Sequence, residues 1–345
     1  MTTRSDSPAL SVTAAAIRRG ERRALARAIT LIESSRADHR AEAEALLAEL
    51  LPFTGHAIRV GISGAPGVGK STFIEAFGLH LIDAGRRLAV LAVDPSSARS
   101  GGSILGDKTR MEQLARREAV YIRPTPAGGQ LGGVARRTRE AMLLCEAAGF
   151  DPVMVETVGV GQSEIAVADM VDLFLLLIAP GGGDELQGVK RGILEVAELV
   201  VVTKADGALA PVARHTEADY RSALSLMRPL SDQWTPLVMT CSALESRGLA
   251  AIWQAVREHH EALSRAGELD ARRAHQARAW LWSEVHDDLL ARLRDDPEIA
   301  ALAGRLETAV EARRASPPAA ARQIVAAFLG EGTPSLEARK TRRKT

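Results

Sequence analysis

Cysteine, long apolar runs and an excess of either charge are what this sequence lacks. It holds two cysteines in 345 residues, Cys145 and Cys241. They lie far apart, each among apolar neighbours, so no disulfide framework is expected, and two buried, reduced thiols suit a cytoplasmic protein. Lysine plus arginine number 44 against 43 aspartate plus glutamate, a net charge of +1. Such a balance gives no global field for a polyanion and no reason to expect nucleic acid as a partner. The longest apolar run, residues 173–179, is far too short to span a bilayer, and the opening MTTRSDSPAL has no apolar core of a secretory signal. A soluble protein without membrane contact is the expectation. Only His259 and His260 stand adjacent, which argues against a histidine-rich metal tract, and no internal repeat is present. The 46% hydrophobic content is ordinary for a globule and sufficient for a sizeable core in one large or two modest domains.

The most informative stretch is Gly64-Ala65-Pro66-Gly67-Val68-Gly69-Lys70-Ser71, which fills the pattern G-x-x-x-x-G-K-S/T. Its context is the one the mechanism requires. Ile58, Val60 and Ile62 alternate as in a strand before it, and residues 71–81 are helical after it. Glycines at 64, 67 and 69 let backbone N–H groups converge on phosphate oxygens at the positive end of that helix. Lys70 then reaches the β- and γ-phosphates, and the Ser71 hydroxyl is a magnesium ligand.

Around this loop, strand-like runs recur at 88–93, 120–123, 153–157, 173–178, 199–203 and 237–241, most of them separated by helical stretches. Short buried strands alternating with helices predict an α/β fold with a mainly parallel sheet covered on both faces, its ligands at the carboxyl ends of the strands. Helical spacing at 21–34 and 43–51, the second stretch closed by Pro52, gives an N-terminal helical segment over 1–55. Its Arg18, Arg19, Arg22, Arg23 and Arg27 suit either an acidic partner or a solvated helix face. A nucleotide domain over 56–264 follows, then helices over 265–330 and a basic tail over 331–345. The helical extension cannot enclose a core alone and must bury its apolar stripe on the nucleotide domain or on another subunit, with Trp280 and Trp282 as candidate anchors.

The chemistry-bearing residues fall just after strands. Asp94 and Glu156 place carboxylates at the sheet edge beside the phosphates, where magnesium needs hard oxygen ligands; which of them touches the ion directly stays open. Glu156-Thr157-Val158-Gly159 occupies the place of the Asp-x-x-Gly that senses the γ-phosphate in many nucleotide triphosphatases. Thr203-Lys204-Ala205-Asp206 matches the guanine-reading box, with Asp206 accepting from the base N1–H and N2–H₂ and the Lys204 stem along the base. Adenine lacks those donors, so GTP is the expected nucleotide. Thr203 stands where asparagine is commoner and makes fewer hydrogen bonds, which touches guanine preference. Ser242, Ala243 and Leu244 follow the last strand like the segment that closes over the guanine oxygen. Two glycine-rich loops, 94–107 and 179–187, are free to switch. Asp107 is a second acid near the γ-phosphate and metal, and Gln162 is a candidate for orienting water. Val160 fills the place where many signalling GTPases carry the water-orienting glutamine, so slow intrinsic turnover raised by a partner is expected.

With the phosphate loop, GGSILGD, ETVGVGQSE, GDELQGVKRG and TKAD all present, the chain resembles the MeaB (ArgK) family, to which human MMAA belongs. The resemblance runs from the N-terminal helices to the C-terminal extension and rests most on the two long strings. It implies a P-loop GTPase of the SIMIBI class, homodimeric through its C-terminal helices. The implied role is that of a G-protein chaperone of adenosylcobalamin-dependent methylmalonyl-CoA mutase, gating delivery of cofactor and discharge of inactivated cobalamin. It further implies that residues 64–71 and Thr72 hold GTP or GDP, that Ser71, Asp94 and Glu156 surround Mg²⁺, and that Lys70, Asp94, Asp107 and Glu156 form the catalytic set. Asp107 then lies in the first switch, residues 159–164, with Gly159, Gln162 and Glu164, form the second, and Asp184 and Lys190 lie in an additional switch that signals to the mutase. The departures are Thr203 and Ile165, the latter where threonine is common. A kinase acting on a transport-system protein and a nickel-inserting GTPase are the rival readings; the guanine box counts against the first and the lack of clustered histidine or cysteine against the second.

Overall fold

The computed structural model describes residues 8–34, 36–94, 111–126, 131–157, 163–181 and 191–330. The chain forms two units, residues 1–277 and 278–345.

The first unit is built on a seven-stranded, wholly parallel sheet. Its strands are β1 (Arg59–Gly64), β2 (Leu88–Asp94), β3 (Val120–Pro126), β4 (Val153–Thr157), β5 (Leu173–Ile178), β6 (Leu199–Val202) and β7 (Leu237–Thr240). The spatial order is β3-β2-β4-β1-β5-β6-β7. The chain leaves β1 towards β3 and later returns past β1 to β5, so β1 is the point where the order reverses, and ligands of such sheets bind at the carboxyl ends there.

Near-continuous apolar runs form these strands because both faces are covered. Val60, Ile62, Val90, Met154, Leu175 and Val201 join one core with the helices Lys70–Asp83 and Leu249–Arg265. Leu91, Val155, Phe174, Leu176 and Val200 join the other with the helices Leu131–Ala147, Ser163–Ala168 and Ala210–Ser225. The N-terminal helices Pro8–Arg18, Arg22–Glu33 and Ala37–Leu50 add Ile17, Leu25, Ile29, Leu46 and Leu50 to this second core. The first of them escapes the sequence pattern, since alanines fill most of its buried face. Helix Ala37–Leu50 stops before Pro52, which sits inside a 3₁₀ turn, Leu51–Phe53. The N-terminal arginines lie on the surface, with Arg18 stacked 3.5 Å over the Phe53 ring and Arg22 donating to Arg117 O. Cys145 and Cys241 are free and buried, and burial pushes the Cys241 thiol up to about 12. Among the described residues no helix is long and apolar enough to cross a membrane.

At the amino end of the sheet a polar clamp fastens the start of the helix Glu268–Asp295. Arg273 pairs with the fully buried Asp172 at 2.6 Å and donates to Ala57 O at 2.7 Å. Asp172 in turn accepts from Arg59 N, which anchors the start of β1. Arg272 reaches Glu198 at 2.8 Å, and His259 reaches the same carboxylate at 3.1 Å.

The second unit contains the rest of that helix from Arg278 and the helices Pro297–Glu311 and Pro317–Phe328. Asp296 caps the middle one, accepting from Glu298 N and Ile299 N. Ile299, Leu306 and Ala320 are buried, whereas Leu281, Trp282, Val285 and Leu289 are exposed.

Burial pushes the Glu198 carboxyl up, but bonds from His259 and Arg272 outweigh it and hold the pKa below its ordinary 4.5. A depressed carboxylate stabilises the fold above that value and loses the contribution as pH falls through its folded pKa. Replacing Arg272 with methionine removes a partner of a buried charge and is expected to cost about 3 kcal/mol at neutral pH. Urea unfolding checks this: the gap between wild type and Arg272→Met is full at pH 7 and narrows on acidification below 4.5.

Candidate nucleotide-binding site

β1 ends at Gly64 and the helix Lys70–Asp83 begins six residues later, so the intervening turn lies at the carboxyl edge of the central strand. Gly64 is required by close approach: a Cβ there would stand 2.5 Å from Leu177 O on the neighbouring strand. Gly69 is the helix N-cap at φ +97, a left-handed conformation that glycine takes without steric cost. No side chain caps this helix, so its first N–H groups, aligned with the helix dipole, are available to an anion.

Lys70 folds back over the turn, with Nζ 2.6 Å from Gly64 O and 3.3 Å from Ala65 O. Burial pushes its pKa down, while the charges of Glu156 and Glu164 push it up; the net shift is downward. Glu156 is buried near the end of β4 and Asp94 is the last residue of β2, the strand beside it, with Ala92 paired to Glu156. Ser71 is half-buried in the first helical turn and Thr72 is exposed. The Ser71 hydroxyl and the buried Glu156 carboxylate are hard oxygen donors of the kind that suits a magnesium ion.

The segment after β6 is stitched to the same turn. Thr203 Oγ1 lies 2.7 Å from Val68 O and 3.2 Å from Ile178 O, and donates to the nearer. Lys204 has φ +53, an uncommon conformation for a residue with a side chain. Its stem passes beside Gly69, with Cε 3.8 Å from where a Cβ would stand, and Nζ donates to Gly67 O at 2.7 Å. Asp206 is held on its other side: Ser242 Oγ donates to Oδ2 at 2.5 Å, and Ala205 N donates to Cys241 O at 2.9 Å. Arg247, paired with Glu245, donates to Ala205 O. Ala243 is half-buried and Leu244 is 81% exposed.

The structure therefore brings together residues 64–71, Glu156, Thr203, Lys204, Asp206 and Ser242, and places Asp94 at the same sheet edge. Asp107, Gly159, Gln162, Asp184 and Lys190 lie outside the described residues. Two features were not read from the sequence. Arg247 supports the Asp206 segment from five residues beyond Ser242, and Glu164, the last residue of the 159–164 stretch, is fully buried. Among the described residues no group of three or more metal-ligating side chains of histidine, cysteine or acid type occurs.

A family model described as "Methylmalonyl Co-A mutase-associated GTPase MeaB" matches residues 25–298. A Caulobacter vibrioides protein described as a GTPase is 57% identical over 309 residues, covering 90% of this chain and 94% of that protein. The mouse mitochondrial methylmalonic aciduria type A homolog is 48% identical over 323 residues, covering 90% of this chain and 77% of its own length. Among solved structures, one titled as a LAO/AO transport system kinase superposes with TM-score 0.75 at 40% identity, covering 94% of this chain and 99% of that one.

The Thr203 hydroxyl makes one of the two 2.7 Å ties between the two halves of this site. Thr203→Val leaves the Val68 carbonyl without its donor, a loss of about 1–2 kcal/mol. Nucleotide titration is expected to show about tenfold weaker GDP binding in that variant, with circular dichroism unchanged.

Proposed function

The chain belongs to the MeaB family of GTPases, and from that premise we propose that it is a GTP-hydrolysing chaperone of adenosylcobalamin-dependent methylmalonyl-CoA mutase. Working in the cytoplasm, it would gate delivery of cofactor and discharge of inactivated cobalamin. The observation that carries the reading is the direct hydrogen bonding of the Thr203–Asp206 segment to the phosphate turn. Base recognition and phosphate grip are thereby fixed in one frame.

In this frame residues 64–71 and Thr72 hold the phosphates through backbone N–H groups, and Lys70 turns from the Gly64 carbonyl to the β- and γ-oxygens. Ser71, Asp94 and Glu156 would hold Mg²⁺, whose chemistry is to neutralise charge on the transferring phosphoryl group. Asp206, pre-oriented by Ser242, accepts from the two donors of guanine, and Lys204 covers the base. Phosphoryl transfer needs positioning and charge stabilisation more than covalent chemistry. With Val160 in the place of a water-orienting glutamine, turnover by the chain alone would be slow. Asp107, Gly159, Gln162, Asp184 and Lys190 belong to the segments that would report the γ-phosphate to the mutase.

The exposed apolar residues Leu281, Trp282, Val285 and Leu289 fall within one stripe of their helix. We assign this stripe to a homodimer contact. Light scattering is expected to show a dimer for wild type and a monomer for Trp282→Glu, with GDP binding retained.

Single-turnover phosphate release from GTP with magnesium tests the function. Hydrolysis should be slow alone and rise saturably with methylmalonyl-CoA mutase; fast hydrolysis indifferent to the mutase, or phosphate appearing on a protein acceptor, would contradict the reading. Asp206→Asn should weaken GTP by about a hundredfold or more. Because an amide can donate to the second carbonyl of xanthine, that variant should gain xanthosine triphosphate.

A further inference from the structure

The segment 203–206 is anchored twice, and only one anchor belongs to the phosphate turn. Thr203 and Lys204 donate to Val68 O and Gly67 O, while the next two residues are held by residues 241–248, which join β7 to the helix Leu249–Arg265. Ala205 N donates to Cys241 O at 2.9 Å, Ala205 O accepts from the Arg247 guanidinium, and Asp206 Oδ2 accepts from Ser242 Oγ at 2.5 Å. The chain passes from one anchor to the other at Lys204, whose φ of +53 is uncommon for a residue with a side chain. Such a corner persists only where its surroundings hold it. The loop that does so is itself closed: Ser242 N donates to Arg247 O at 3.0 Å, and Arg247 N donates to Ser242 O at 2.9 Å. Gly248, at φ +85, lets it turn back, since a Cβ there would stand 2.5 Å from Thr240 O. Glu245, 2.8 Å from the guanidinium, aims the Arg247 side chain, which is 59% exposed. Among the described residues its one side-chain contact beyond its own loop is the Ala205 carbonyl.

We propose that Arg247 sets guanine specificity as a positioning residue: by gripping the Ala205 carbonyl it fixes the peptide plane from which Asp206 departs, so that the carboxylate meets N1–H and N2–H₂ of guanine together. The inference rests on the GTPase reading of the site. The carbonyl carbon of Ala205 is bonded to the nitrogen of Asp206 and the peptide unit is planar, so the direction of that carbonyl decides where the Asp206 side chain starts. Ser242 holds one carboxylate oxygen, and a single bond leaves the carboxylate free to pivot about it. The plane fixed by Arg247 removes the pivot. Reading two donors at once depends on angle, because hydrogen bonds weaken steeply as they bend. The grip on the phosphates lies on the other side of the Lys204 corner and does not involve Arg247. Recognition of base and of phosphate are therefore separable within one short segment.

The test uses the full chain with Arg247→Met, which removes the guanidinium and leaves the main-chain pair with Ser242 in place. GDP, ADP and inosine diphosphate, which keeps N1–H and lacks the amino group, are titrated with magnesium. The expected result is GDP weakened about tenfold, inosine diphosphate by about threefold or less and ADP unchanged, so that the preference for GDP over both shrinks. The melting temperature should hold, because water can reach the carbonyl beneath so exposed a side chain. In an Asp206→Asn background, Arg247→Met should add no further loss of GDP affinity, as for two residues acting as one unit. Unchanged GDP affinity would overturn the proposal; so would losses by one common factor for all three nucleotides, or additive losses in the double variant. If the methionine variant does not fold, Arg247→Lys, which keeps the charge and loses the planar fork, takes its place with the same readouts. Wild-type protein that binds neither GDP nor ADP would refute the GTPase reading itself, and the proposal with it. Wild type and variant preferring GDP to the same degree would refute the proposal alone.

Discussion

Two side chains of one short segment, Thr203 and Lys204, hold the phosphate turn by its carbonyls, and the geometry of the site depends on these bonds. A glycine-rich turn is free to take many conformations, and that freedom lets its N–H groups converge. The same freedom would leave a flexible cradle unless something outside the turn restrained it. Hydrogen bonds from the segment after β6 supply the restraint. They act on carbonyls and leave the N–H groups at the helix start for a phosphate. The segment that restrains the turn also carries Asp206, so under the proposed function a nucleotide whose base fits there would find the phosphate turn already in register.

The opposite end of the sheet solves a different problem. There Asp172 and Glu198 precede β5 and β6, and Arg272 and Arg273 from one helix reach both. The strands between are almost entirely apolar, so polar groups gather at the two edges: arginine–carboxylate pairs at the amino end and the phosphate turn with its supporting segment at the carboxyl end. Breaking the first costs stability; altering the second costs affinity. β1 and β6 are flanked by a residue of each set at their opposite ends, Arg59 and Gly64 for β1 and Glu198 and Thr203 for β6, which ties the nucleotide edge to the start of the C-terminal helix through two strands.

Much of this was legible in the sequence where local pattern and chemistry coincide. The phosphate turn declares itself because glycine is needed at fixed places between an alternating strand and a helix, and the strands declare themselves because both sheet faces are buried. Strand ends shifted by a few residues: β3 runs on to Pro126, and β6 and β7 stop at Val202 and Thr240. What pairing in space decides was not legible. The arginine clamp joins residues about a hundred positions apart, and nothing near Arg273 in the sequence points to Asp172. Helix Pro8–Arg18 was hidden by its alanines. Thr203, expected to bond less well than asparagine, does reach the phosphate turn through its hydroxyl, a contact that propensity and spacing do not encode. The burial of Glu164 was not legible either, since it depends on a glycine at 61 that admits the helix Ser163–Ala168 against β1.

The family and the fold are those of a MeaB GTPase, and the proposed function has the chain grip a guanine nucleotide in one frame and report its terminal phosphate elsewhere. The most direct measurement is calorimetric titration of the folded chain with GDP and with ADP in the presence of magnesium. A frame that joins Asp206 to the phosphate turn predicts saturable uptake of GDP, with ADP weaker by about a thousandfold. Equal affinities for the two, or uptake of neither, would contradict it.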